Sequence, residues 1–118
     1  MDQMTNFQLL ERYLDLASER HQLIVNNMAN IDTPGYRTRD MDFRRELQRA
    51  MVEGVPPAAP VLRQVSGLAE RPDGNNVSLD RESLLLSEAQ IQFRIGVQLI
   101  RREFSRLLTA INGGGSSS

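Results

Sequence analysis

The sequence predicts a mainly α-helical protein: two long amphipathic helices, one N-terminal and one C-terminal, pair as an antiparallel coiled-coil-like hairpin. A short middle helix and a Pro/Gly-rich, irregular or weakly β segment lie between them. Three observations carry this expectation. Apolar residues recur three and four apart at both ends of the chain. Four of the five prolines fall within residues 54–77. Aromatic residues make up only 5% of the 118 positions and Trp is absent, so a large aromatic core is not on offer.

The first helix is expected over 3–30. Its seam reads Phe7, Leu10, Leu14, Ala17, His21, Ile24, Met28 and Ile31, and Leu9, Tyr13, Leu16 and Leu23 form a second flank. Such a stripe is wider than one helical partner covers. A turn over 30–43 and a short helix over 42–53 follow, the helix with Asp40 or Asp42 as N-cap candidates and Gly54 just past its end.

Residues 54–77 read as a loop, in which VLRQV alternates weakly and Asp73-Gly74 marks a turn. The last helix is expected over 79–111, capped by Ser78 or Asp80. Its seam is Phe93, Val97, Ile100, Phe104, Leu107 and Ile111, with Leu84, Ile91, Ile95 and Leu99 beside it. Gly113 is a candidate stop, and 113–118 read as a flexible Gly/Ser tail on a single elongated domain, 1–112.

Composition excludes several functions. The 14 positive residues, every one an arginine, nearly balance 15 negative ones, so the field that draws proteins to nucleic acid is missing. Without Cys there is no disulfide, thiolate metal site or thiol nucleophile. His21 is the only histidine, so a Ser-His-Asp or multi-histidine site cannot be assembled from one chain; its seam position favours a packing or interface role, with a pH-sensitive contact as the alternative.

Asp32, Asp40 and Asp42 are read as caps and partners of Arg37, Arg39, Arg44 and Arg45, because their spacing matches no oxygen-ligand loop. Asp73-Gly74-Asn75-Asn76 begins like a calcium loop, but the twelfth position is Leu84. No catalytic residue, metal, cofactor or small-molecule substrate is therefore expected. No apolar run reaches membrane-spanning length and no cleavable secretion signal is read.

The most distinctive stretch is Asn30 to Phe43. Thr33 precedes a proline and is pushed extended, and Pro34-Gly35 suit the central positions of a type II turn, whose second residue needs φ > 0. Asn30 suits a left-handed or capping role, and Asp32 can bond the backbone two residues on. Local rules account for this turn but not for the Tyr36-Arg-Thr-Arg39-Asp40-Met-Asp42-Phe43 run that follows it.

That run, read with ANIDTPG before it, resembles the signature after the N-terminal helix of bacterial flagellar rod proteins, within the flagellar rod and hook axial family. The shared core falls on Asn30, Thr33, Pro34, Gly35 and Tyr36, and RTRDMDF is similar to the proximal-rod subgroup. DGNNVSLDRE resembles that subgroup's second patch through Asn75, Asn76 and Val77, with Ser78 where an acid is expected.

The resemblance implies a non-enzymatic, torque-transmitting structural subunit of the proximal rod, located in the periplasmic part of the basal body. The expected partners are other rod subunits, the junction with the inner-membrane ring and export gate, further copies of itself in a helical assembly, and the flagellar type III export apparatus. The rival reading from the residues alone is a soluble helical-hairpin adaptor or chaperone-like module whose Pro-rich loop binds a client.

Overall fold

A computed structural model describes residues 5–53 and 59–116. Three helices, α1 (Asn6–Ala29), α2 (Phe43–Glu53) and α3 (Leu79–Ser116), are joined through two short strands, β1 (Arg39–Asp40) and β2 (Arg63–Gln64). α1 and α3 form the antiparallel hairpin, and the molecule measures 72 × 30 × 17 Å.

Each helix begins where a side chain can satisfy its free amides. Thr5 starts α1 with a capping box: its hydroxyl accepts the Gln8 N–H at 3.1 Å, and Gln8 Oε1 accepts the Thr5 N–H at 3.0 Å. The Asp42 carboxylate accepts the Arg45 N–H at 3.1 Å and starts α2. Ser78 Oγ accepts the Arg81 N–H at 3.3 Å at the head of α3. Of the two caps considered for each later helix, Asp42 and Ser78 are used.

The helices are unequal. α1 has 24 residues and α3 has 38, about 36 and 57 Å at 1.5 Å per residue. The stop expected at Gly113 is absent: α3 continues to Ser116, and positive φ among the described glycines is confined to Gly35, Gly67 and Gly74. A glycine also fits the right-handed helix at a cost of about 1 kcal/mol relative to Ala, and no proline follows to break the hydrogen-bond ladder. Of the expected 113–118 tail, residues 117–118 lie outside the described residues, as does Gly54.

The seam expected on α3 is also displaced. The fully buried positions facing α1 are Glu82 and Ala89, and Gly96 follows at the same seven-residue interval. A Cβ on Gly96 would stand 2.7 Å from Leu14 Cδ2 and 2.8 Å from Tyr13 Cδ1, so the backbone of α3 passes directly over these side chains. Val97 and Ile100 are half-buried beside this line, whereas Phe93, Phe104, Leu107 and Ile111 are exposed, the last at 73%. Large apolar residues alone put the stripe axis in the wrong place. The small ones mark where the helices approach.

On α1, Leu16, Ala17, Leu23 and Ile24 are buried, and Phe7, Leu10, Leu14, His21 and Met28 are half-buried. The second flank thus supplies half of the buried apolar positions, Leu16 and Leu23. It does so because α2 covers it: Leu16, Leu23 and Met41 form the core cluster with Phe43 and Leu47 against it. Tyr13 meets Phe43 edge-on at 5.1 Å, and burial there raises the Tyr13 phenol above its ordinary pKa.

The weakly alternating VLRQV does become extended, but as a partner of the signature rather than as a local hairpin. β2 pairs antiparallel with β1, Arg39 opposite Gln64 and Asp40 opposite Arg63. The Val65 N–H continues the ladder to Thr38 O at 3.0 Å. The turn at the second patch closes through the Gly74 N–H on Arg71 O at 2.8 Å, with Gly74 at φ 87°.

Candidate functional site

α1 ends at Asn30, whose N–H and Nδ2 both donate to Asn26 O, at 3.2 and 2.8 Å. Its φ of −100° is not left-handed, so Asn30 caps through its side chain instead. Thr33 then folds back on it, with N–H to Asn30 O at 3.0 Å and Oγ1 to Asn30 Oδ1 at 2.9 Å. Pro34-Gly35 make the expected turn: Gly35 has φ 76° and the Tyr36 N–H reaches Thr33 O at 3.2 Å. Asp32 is exposed and takes no hydrogen bond among the described residues.

The open carbonyls at this helix end are satisfied from residues forty or more positions away. Asn75 Nδ2 donates to Asn30 O at 2.9 Å and Thr33 O at 2.8 Å, and Arg71 Nη2 donates to Ile31 O. The two motifs then run together: the Gly35 N–H donates to Asp73 O at 2.8 Å, the Asn76 N–H to Tyr36 O at 3.3 Å, and the Thr38 N–H to Asn76 Oδ1 at 2.7 Å. Asn75 Oδ1 also accepts the Val77 N–H at 2.8 Å. Asn75, Asn76 and Val77 are all buried as a result.

Asn27 sits at the centre of this joint, 1% exposed. Its Nδ2 donates to Arg39 O at 2.8 Å and Glu82 Oε1 at 2.6 Å, and its Oδ1 accepts Tyr36 Oη at 2.9 Å and the Arg39 N–H at 3.2 Å. One side chain therefore ties α1, the signature and the first turn of α3. Glu82, fully buried, also receives Arg81 Nη1 at 2.6 Å, and Arg81 Nη2 reaches Asp40 at 3.2 Å. Phe43 closes the side toward α2 through Tyr13, while the Arg39 side chain stays exposed.

The structure thus brings Asn30, Thr33, Gly35, Tyr36, Asp40, Asn75, Asn76 and Val77 into one joint, with Asp42 and Phe43 at its α2 edge. It leaves Asp32, Pro34 and Arg39 on the surface. Asn27, Glu82, Arg81 and Arg71 were missed. An asparagine interrupting the apolar stripe one helical turn before its end was the available signal for Asn27. Glu82 had one too, lying seven residues before Ala89. No sequence pattern singles out Arg71.

The joint holds no nucleophile beside a base, and His21 is remote from it, facing Phe93, Arg94 and Val97 on the hairpin surface. No group of three or more Asp, Glu or His side chains that could hold a metal ion occurs among the described residues. No described helix is long and apolar enough to cross a membrane. What the arrangement provides is rigidity. Every polar group of Asn27 is engaged, and buried polar networks satisfied in this way fix one geometry.

No family model matches the chain. Curated relatives do. The chain is 27% identical over 135 aligned residues to the flagellar basal body rod protein FlgB of Salmonella typhimurium strain LT2, covering 97% of this chain and 96% of the relative. It is 32% identical over 113 residues to the protein of the same name from Cereibacter sphaeroides strain ATCC 17023, covering 85% and 88%. With the counterpart from Escherichia coli K12 it shares 25% identity over 136 residues, at 97% and 96% coverage.

Proposed function

The chain belongs to the flagellar basal body rod protein FlgB family, and from that premise we propose that it acts by assembly, as a structural subunit of the proximal rod. The observation that carries the reading is a hairpin held rigid at one end with both apolar flanks of α3 uncovered. Leu84, Ile91, Ile95 and Leu99 line one flank, and Phe93, Phe104 and Ile111 line the other. Apolar surface on this scale is an interaction surface.

In this reading the terminal helices are the staves of a tubular shaft that transmits torque, and the exposed part of the expected seam is closed by neighbouring subunits rather than within the chain. The joint sets the angle at which the chain leaves that wall. Its partners are other rod subunits, further copies of itself and the junction with the inner-membrane ring and export gate. The subunit is delivered by the flagellar type III apparatus and acts without catalysing a reaction. None of the relatives lends support to the adaptor or chaperone reading.

The test is replacement of the native subunit in a motile host lacking its own FlgB-family gene. The wild-type chain restores rods and swimming. Gly35→Val, which forces a β-branched side chain to φ 76°, is exported yet leaves rods unassembled. Swimming cells with intact rods in the Gly35→Val strain refute the role of the turn, and rods that complete without any such subunit refute the function.

A further inference from the structure

The two outer edges of the small sheet differ. On β1 the edge is closed from within the chain. The Arg39 N–H donates to Asn27 Oδ1 at 3.2 Å and Arg39 O accepts Asn27 Nδ2 at 2.8 Å, so one side-chain amide makes the pair of bonds that a neighbouring strand would make. On β2 the edge is open. Arg39 stands opposite Gln64 and Asp40 opposite Arg63, and the Val65 N–H is spent on Thr38 O at 3.0 Å. Main-chain groups alternate in direction along a strand, so those of Arg63 and Val65 face β1 and those of Gln64 face away. The main-chain groups of Leu62, Gln64 and Ser66 take no hydrogen bond among the described residues, and all three residues are exposed.

This edge is held in place. The Val61 N–H donates to Glu46 Oε2 at 3.4 Å, and Glu46, 3% exposed in α2, is itself fixed by Arg49 at 2.6 Å. Val61 and Leu62 beside it are 61% and 46% exposed. The charge around the edge is lopsided. Arg39, Arg44 and Arg45 are exposed without an ion pair among the described residues, and Arg63 has only Asp42, at 3.9 Å. Of the other acids on this side, Asp40 is engaged by Arg81 and Glu88 by Arg20, both at 3.2 Å. Glu19, across a groove from Leu62, is the one left unpaired there among the described residues.

We propose that the outer edge of β2 is a docking site for an extended, acidic segment of another protein, which joins the β1–β2 sheet as a third strand. Its main chain exchanges hydrogen bonds with Gln64, and with Leu62 and Ser66 on either side. A carboxylate opposite Gln64 lies on the face that Gln64 shares with Arg39, within reach of that guanidinium; on the other face an acid beside Arg63 supplements its long contact with Asp42. Apolar residues between the acids cover Val61 and Leu62. Two copies of this chain joined edge to edge bring their arginines together, so the site selects a different chain. The contact is separate from the exposed faces of α1 and α3 and does not depend on what covers them.

The experiment uses the full chain and a labelled synthetic peptide, Val-Asp-Val-Glu-Val-Asp-Val, blocked at both ends, with a control peptide carrying arginine at the three acidic positions. Binding is read by fluorescence anisotropy and located by amide hydrogen exchange. The acidic peptide binds the wild-type chain, the basic one at least about tenfold more weakly, and exchange slows over residues 62–66. Gln64→Pro deletes the outward N–H and no bond inside the chain. Circular dichroism and the urea midpoint therefore stay at the wild-type level while affinity falls at least about tenfold. Gln64→Ala keeps the N–H and binds as wild type does. Arg39→Glu, altered at an exposed and unpaired side chain, keeps the fold and weakens the acidic peptide about fivefold or more.

No binding of the acidic peptide by the wild-type chain, equal binding of both peptides, equal binding by a folded Gln64→Pro chain, or protection confined to α1 and α3 overturns the proposal. So does a wild-type chain that dimerises through residues 62–66 without peptide, since the occupant is then a second copy. Should Gln64→Pro lower the urea midpoint, Arg39→Glu and the exchange pattern decide. Because binding is read on the isolated chain, each of these outcomes leaves the assembly reading standing; that reading fails instead when the wild-type chain restores no rods.

Discussion

Asn27 presents two donor hydrogens and one acceptor oxygen to four partners inside the joint, and its truncation to Ala takes these bonds from Glu82 Oε1, the Tyr36 hydroxyl and both backbone groups of Arg39. Each buried group left unpaired costs about 1–3 kcal/mol, so Asn27→Ala and likewise Asn75→Ala lower the urea midpoint strongly. Thr38 supplies the contrary case. It is fully buried and its hydroxyl has no hydrogen-bond partner among the described residues. Thr38→Val keeps the shape and removes the stranded group, so it is neutral or stabilising by about 1 kcal/mol, and a fall in the midpoint contradicts the assigned environment.

Tyr13 gives a pH readout. Its phenol is held above the ordinary value of about 10 by burial, so its contribution is intact below that pH and is lost as the pH rises through the higher folded value. Ultraviolet titration places the Tyr13 transition above that of a Phe43→Ala variant, in which the ring is uncovered; coincident transitions contradict the burial argument. Residue-scale legibility was uneven. The Pro34-Gly35 turn follows from backbone sterics that any sequence displays. The in-trans cap from Asn75 depends on a contact across forty-five positions that local rules do not contain.

At the scale of elements, the existence and order of the three helices were readable because periodicity and caps are local. The packing line of α3 was not. Periodicity weighs residues by apolar size, yet two helices approach most closely where side chains are smallest, and here Ala89 and Gly96 mark the contact. Gly96→Ala tests this directly. The added methyl meets Tyr13 and Leu14 at under 3 Å, so it costs about 1–3 kcal/mol although Ala is the better helix former. A stabilised variant removes the close approach from the account. The β1–β2 pairing escaped for a related reason: two-residue strands carry almost no alternation, and their register is set by the joint rather than by a turn between them.

As a whole the molecule is an elongated hairpin, 72 Å long, whose well-packed end and exposed end differ in kind. At the joint, buried polar groups lock one geometry. Toward the far end α3 extends about ten residues beyond the level of Thr5, and Leu107, Leu108 and Ile111 are uncovered. In the proposed assembly these residues are the ones that neighbouring subunits cover. Because the chain contains no Cys, single cysteines report that cover without background. The decisive measurement is maleimide labelling of Ile95→Cys and Phe104→Cys in the isolated chain and in purified basal bodies. Both react readily in the isolated chain and are protected in the rod; equal labelling in the two states contradicts the claim that these faces are the walls of the assembly.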